Sequence, residues 1–307
     1  MQRDGIEYQH NLAAARNVID KRPASQWSES VYASWLYTLR TLSNPRKIEK
    51  NPEVFRTKQW GMRVMNTQIA SWTQLRHNTV LYVKPAGGAM NGCFYPEGYV
   101  EPVGEFWKAM GKMVEQMADY LEKITYPERV VRSRFRNNFK PGLHRKKVQL
   151  KFLRNFVRTL DLLRTVSEKQ LKGEVLLAEE AYMLKNVVQR ERHGSGMITY
   201  DGWYPALFYK GPPNCMESDF IVSDVYSIPP GKGVIDGVLH EAIGRVDTTY
   251  ISVKNGEDIV TYIGPSLSHY EMFIRGNNRL NDAEWRAKMD KKDIPQRPQW
   301  TTDYLVP

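Results

Sequence analysis

Cysteine is scarce: Cys93 and Cys215 are the only two in 307 residues. Two cysteines build neither a disulfide framework nor a four-cysteine zinc site, so folding does not depend on an oxidising compartment. Long apolar runs are also lacking, and none approaches the roughly 20 residues that span a bilayer. The first twenty residues mix Asp and Glu with their bases and have no apolar stretch, so they read as neither a secretory signal nor a transit peptide. No repeat of fixed period is visible. Glycine and proline occur in ordinary numbers, and hydrophobic residues make up 41% with 11% aromatics. That is ample for a buried core and excludes a wholly disordered chain.

What the chain has in excess is positive charge. It carries 44 Lys and Arg against 34 Asp and Glu, a formal charge of +10. The excess is local. Between Pro127 and Arg164 stand Arg129, Arg132, Arg134, Arg136, Lys140, Arg145, Lys146, Lys147, Lys151, Arg154, Arg158 and Arg164, opposed only by Glu128 and Asp161. These 38 residues account for the whole imbalance, and the remainder is neutral in sum. A local basic segment implies a local partner, because screening confines its field to about 10 Å at ordinary salt.

The segment has two halves. From Tyr126 to Lys147 no helical period is present, a turn is expected at Asn137 to Gly142, and Phe135 and Phe139 alternate with the bases. This half reads as a loop or arm. From Lys147, the residues Leu153, Phe156, Val157, Leu160 and Leu163 recur at helical spacing, which predicts an amphipathic helix to Leu171 with bases outside. Arginines interleaved with phenylalanines suit phosphates and stacked bases. The same pattern also suits a simple solvated face or an arm docked on an acidic protein neighbour, and no RNP box, KH-type loop or zinc-finger spacing favours nucleic acid.

The expected fold class is α+β, a helical majority followed by a small antiparallel β region and a terminal helix. Helices are predicted at Asn11 to Asp20, Ser25 to Leu42, Pro52 to Val80, Val103 to Ile124 and Leu176 to Gln189. The Val103 helix should pack antiparallel on the Lys147 helix. Strands are predicted at Met197 to Tyr209 and Asp219 to Tyr226, with a hairpin of Arg245 to Lys254 and Asp258 to Ile263 around Asn255-Gly256-Glu257. Asn281 to Glu284 reads as an Asx-capped helix start, and the tail from Lys291 as extended. The division is thus 1–190, helical with a basic arm at 126–147, and 191–307, β-rich.

Several strings carry a resemblance. They are Ser71 to Tyr82 (SWTQLRHNTVLY), Gly98 to Pro102 with Glu105-Phe106-Trp107, and Glu168 to Gly173 with Glu179-Glu180 downstream. Ser223-Asp224-Val225, Ser268 to Phe273 and Leu280 to Trp285 follow in order. Together they resemble a large bacterial domain-of-unknown-function family, numbered thirty-one sixty, over about Trp35 to Met289. The resemblance implies no activity. It implies that this chain corresponds to the C-terminal half of the family domain, is one piece of a split or cleaved domain, and has an unusually basic arm. Tyr226 also stands where the family usually has His.

Candidate chemistry is sparse. His240-Glu241, on a possible helix, lacks the second His of a zinc-protease motif, since Gly244 occupies that position. Gly231-Lys232-Gly233 lacks a phosphate-loop frame, and there is no nucleophile-elbow Ser. No metal, cofactor or catalytic residue is therefore expected. The best polar constellation is Arg76, His77, Tyr99, Glu101, Asp224, Tyr270 and Glu271. It would form an acid–base cleft, or else Arg76 and Glu101 would be a structural ion pair and the tyrosines would be core.

The leading expectation is a non-catalytic assembly subunit of a multiprotein complex, gripping an acidic partner through Arg129, Arg132, Arg134, Phe135, Arg136, Phe139, Lys140, Arg145, Lys146 and Lys147. Partners would be other protein subunits, the absent half of the domain among them, and a mitochondrial complex would suit. The alternatives are a nucleic-acid-associated protein using 126–164, and a hydrolase with a cleft around Arg76, Glu101 and Asp224.

Overall fold

The computed structural model describes residues 2–43, 50–80, 98–126, 131–133, 136–139, 141–194, 196–208, 212–215, 220–231, 235–255, 258–291 and 293–306. The chain is α+β. Its helical part contains α1 (Gln2–Asp20), α2 (Ala24–Trp27), α3 (Val31–Thr41), α4 (Lys58–Val80), α5 (Gly104–Lys123), α6 (Pro141–Lys172) and α7 (Ala178–Lys185). A two-stranded hairpin, β1 (Val131–Ser133) and β2 (Arg136–Phe139), joins α5 to α6. A second, β3 (Gln189–Arg192) and β4 (Ile198–Asp201), follows α7. Then come β5 (Ile221–Ile228), β6 (Gly237–Ile243), β7 (Asp247–Asn255), β8 (Asp258–Ser266), β9 (Tyr270–Arg275) and α8 (Asp282–Lys291).

The helix predicted over Ser25 to Leu42 is broken in two. Ser30 takes extended backbone and its hydroxyl accepts from the Ala33 amide at 3.1 Å, so a serine that would weaken a helix interior starts a new helix instead. The arm is also shorter than its composition suggests. Pro141 opens α6 six residues before the predicted start at Lys147, because proline is well placed in a first helical turn and basic residues propagate a helix as well as apolar ones. Helices α5 and α6 pack antiparallel through Met113, Val114, Ala118, Leu153 and Leu160. Lys146 donates to the carbonyls of Glu122 and Ile124 at 2.7 and 2.8 Å, covering the carbonyl end of α5.

Helix α7 is confined to eight residues rather than reaching Gln189. The Glu180 carboxylate accepts from the Leu177 amide at 2.7 Å and so fixes the start. It also receives both bonds from the Lys169 ammonium, at 2.7 and 2.8 Å, which tie α7 to α6. After Asn186 the chain turns, and Gln189–Arg192 pairs as a strand that sequence periodicity does not show.

The part that positions the candidate site is a three-stranded antiparallel sheet, ordered β5-β6-β9, with the β7–β8 hairpin leaving between β6 and β9. Central strand β6 is buried along nearly its whole length, so both faces are covered. On one face Phe220, Val222, Ala242 and Tyr270 pack against Trp285 and Met289 of α8. On the other, Ile221 and Ile243 pack against Ala70 of α4. His240 and Glu241 therefore lie on a strand, not the helix that their motif suggested. Successive residues of a strand face opposite ways, so the two point to different layers.

Helix α8 begins where predicted. The Asn281 side-chain oxygen accepts from the amides of Ala283 and Glu284, and the Glu284 carboxylate accepts from the Asn281 amide, all at 3.0 Å, a complete capping box. The tail forms a 3-10 turn at Gln299–Asp303 against α4, where Lys58 bonds Asp303 at 2.6 Å.

Trp285 is fully buried and its indole N–H donates to the Ile243 carbonyl at 2.8 Å. Trp285→Ala is expected to cost about 3–5 kcal/mol, read as a fall in the urea midpoint. The Lys169 contact holds the Glu180 carboxyl below the usual carboxylate range. A depressed folded value means stability that is present above the unfolded value of about 4.3 and lost as pH falls through the folded one. Glu180→Gln should therefore cost about 2 kcal/mol near neutrality and show a shallower loss of thermal stability below about pH 4.3 than the wild type.

Candidate functional site

The basic segment divides by engagement. Arg129, Arg134, Phe135 and Lys140 lie outside the described residues, and Arg132, Arg136 and Phe139 fall on the β1–β2 hairpin, where only the backbone is described. On α6, Lys146 covers the end of α5, Arg154 pairs with Glu122, and Arg164 pairs with Asp161 at 2.7 Å and Glu168 at 3.1 Å. Lys147, Lys151 and Arg158 are exposed and make no ion pair among the described residues. With Arg154 they follow at intervals of four, three and four, so they form one stripe about 16 Å long. Arg145 is exposed nearby.

The polar constellation expected to form one cleft is divided among four places. Arg76, on α4, donates through Nε to the Asp224 carbonyl at 2.9 Å and through Nη2 to the Val225 carbonyl at 3.4 Å. The β5–β6 register shifts between Asp224 and Tyr226, so Val225 is the extra residue of a bulge, and the guanidinium serves carbonyls that the ladder uses irregularly. The Asp224 carboxylate pairs with Arg279. Glu101 pairs with Arg63 at 2.8 Å rather than with Arg76. Tyr99 stacks on Phe55, with ring centroids 5.8 Å apart, and burial followed by the neighbouring Tyr262 pushes its hydroxyl up to about 12. The His77 side chain lies outside the described residues. A groove of about 270 Å³ lined by Phe55, Trp60, Val64 and Pro102 contains none of the seven.

Tyr270 belongs to the α8-facing core, edge-on to Trp285 at 5.3 Å. Its neighbour Glu271 points the other way and is exposed, directly across the strand pair from Glu241. Ser223 of β5 continues this row on the far side of Glu241. His269, two residues before Glu271 and on the same side, is fully buried, with its ring stacked on Trp300 at 6.3 Å. One ligand atom from each of Glu241, His269 and Glu271 lies within 4.8 Å of the others. His269 Nε2 is 3.1 Å from Glu241 Oε2, yet the two are not aligned as a hydrogen bond, and that carboxylate oxygen and both ring nitrogens have no hydrogen-bond partner. Burial, then the Glu271 charge, pushes the Glu241 carboxyl up to about 8. Burial, then Arg297, pushes His269 down to about 4. Arg297 itself is held by Asp247 at 3.0 Å and by the Asn66 side-chain oxygen at 3.3 Å.

Of these three residues, only Glu271 belongs to the polar constellation expected from the sequence. The usable signal was the alternation His269-x-Glu271, which on a strand puts both side chains on one face. Glu241 was read as helical and so never joined them. Its immediate neighbour His240 faces the α8 side, where Nε2 accepts from the Leu280 amide at 3.2 Å.

The family model described as "Protein of unknown function (DUF3160)" matches residues 1–301. The chain belongs to that family. The match covers nearly the whole chain, wider than the expected span of about Trp35 to Met289, and it does not bear out the expected restriction to a C-terminal half. No curated protein and no solved structure matches the chain.

Arg63 is buried, lies 4.5 Å over the Trp60 ring and anchors Glu101, whereas Arg279 and Asp224 are both more than two-fifths exposed. Arg63→Met is expected to lower stability by about 2–3 kcal/mol, and Arg279→Ala by no more than about 1 kcal/mol, in parallel urea titrations.

Proposed function

We propose that this family member is a non-catalytic assembly subunit that docks the basic face of α6 onto an acidic protein partner. One observation carries the reading: Lys147, Lys151 and Arg158 share a single exposed stripe and have no ion-pair partner among the described residues. Other bases of the helix are matched by acids: Arg154, within the stripe, by Glu122, and Arg164 by Asp161 and Glu168. Leaving a row of cations unmatched costs self-repulsion, which an acidic surface of similar length would relieve.

A rigid helical stripe favours a protein over a nucleic acid in one respect. Among the described residues no Phe, Tyr or Trp continues the stripe, which has only the exposed His144 ring one turn before Lys147, and single-stranded nucleic acid is held by stacking as well as charge. A hydrolytic cleft around Arg76, Glu101 and Asp224 gains no support, since each of those side chains is engaged in a separate structural contact.

The test is charge reversal at three exposed positions, Lys147→Glu, Lys151→Glu and Arg158→Glu combined, with fluorescent poly-glutamate and a mixed-sequence single-stranded RNA as probes. Poly-glutamate binding should fall by at least about tenfold in the variant at unchanged thermal stability. The complex purified from native cells should lose its stoichiometric partner in parallel. Equal poly-glutamate binding by both proteins overturns the proposal. Tighter, steeply salt-dependent binding of the RNA would assign the stripe to nucleic acid instead.

A further inference from the structure

We propose that Glu241, His269 and Glu271 form a binding site for a divalent transition-metal ion, zinc foremost. The site lies on the sheet face opposite α8, apart from the basic stripe and independent of the function proposed for it.

Three observations converge. The first is cross-strand geometry. Glu241 and Glu271 are direct partners in the β6–β9 ladder, and like charges directly opposite one another destabilise a strand pair unless something positive lies between them. The second is an orphaned donor set. His269 is fully buried, with neither ring nitrogen bonded, and Glu241 Oε2 beside it has no hydrogen-bond partner. Buried polar atoms are almost always satisfied, so a buried imidazole and a carboxylate oxygen left open side by side call for a shared partner. The third is convergence: one oxygen from each carboxylate and one imidazole nitrogen come within 4.8 Å of one another. Metal–ligand bonds of about 2.0–2.2 Å need these atoms somewhat closer, and exposed Glu271 can swing in to supply the difference.

The ligand chemistry sets the ion. Two carboxylate oxygens carry the charge that any divalent cation needs, but a buried imidazole nitrogen selects zinc and its transition-metal neighbours over calcium or magnesium, which prefer all-oxygen shells. Rigidity comes from the layers around the site. Stacking on Trp300 fixes the His269 ring, the ladder fixes Glu241, and the Asn66 amide bonds the Leu267 carbonyl two residues before His269. Arg297 is a cation whose charge is felt at His269, and that charge is met by Asp247 at 3.0 Å. The exposed edge at Glu271 gives an ion its way in.

Untagged full-length protein, stripped with a chelator and desalted, is titrated with Zn²⁺ by calorimetry, then with Mn²⁺ and Ca²⁺. One Zn²⁺ per chain is expected, bound more tightly than either other ion, with a rise in melting temperature. Glu271→Gln alters only an exposed side chain, so it should fold normally while weakening Zn²⁺ binding by at least about tenfold, the scale on which even contacts outside the ligand shell act. His269→Gln should abolish stoichiometric binding. X-ray absorption of the zinc-loaded protein should show a first shell of nitrogen and oxygen without sulfur. Absence of stoichiometric Zn²⁺ binding overturns the proposal, as does unchanged affinity in Glu271→Gln. Ca²⁺ binding tighter than Zn²⁺ would overturn the choice of ion.

Discussion

A three-stranded sheet whose central strand is buried on both sides must be covered twice, and that requirement organises this protein. β6 supplies Ala242 and Val238 to the interior and Ile243 to the opposite layer, so neither α4 nor α8 is dispensable. The covers come from opposite ends of the chain. Helix α4 enters early, β5, β6 and β9 come late, and α8 closes the far face only after the last strand is made. Such long-range closure joins the helical segment to the β-rich one through α4. It also explains why the chain's polar side chains are used so heavily as ties between layers. Arg76 reaches the β5 bulge, Asn66 reaches Leu267, and Trp285 reaches Ile243, each across a layer boundary.

The same burial makes polar residues on β6 and β9 expensive, and the two faces resolve that cost differently. On the α8 side, His240 has backbone partners at both ring nitrogens, Val238 and Leu280, and burial pushes its pKa below the ordinary imidazole value. On the α4 side, Glu241 and His269 lack such partners and meet each other and Glu271 instead. A shared proton is the least that this group needs, and a divalent ion satisfies all three donors together. The contrast between His240 and His269, both fully buried, is why only the second is read as part of a site.

Charge follows a similar division between structural use and availability. Several bases of the 127–164 segment hold the helical pair together, with Lys146 at the end of α5 and Arg154 on Glu122. Others stand on the outer face of α6 with no such duty. A net charge of +10 therefore does not distinguish the bases that are matched within the fold from those that are not.

Much was legible in the sequence because it depends on local periodicity. The amphipathic stripes of α5 and α6, the β7–β8 hairpin around Asn255-Gly256-Glu257 and the Asn281 cap all follow from spacing and from side chains bonding their own backbone neighbours. The family, too, was legible in short contiguous strings. What tertiary structure decided was pairing across distance. Glu101 met Arg63 rather than Arg76, and Arg76 met strand carbonyls, because which charges become neighbours depends on how α4 lies on the sheet. His240-Glu241 became a strand because the sheet buries it from both sides, which outweighs local propensity. Glu241, His269 and Glu271 share one face only once β9 returns to pair with β6 past the β7–β8 hairpin. Composition and period determined the elements, and only their packing determined which polar groups would be left facing one another.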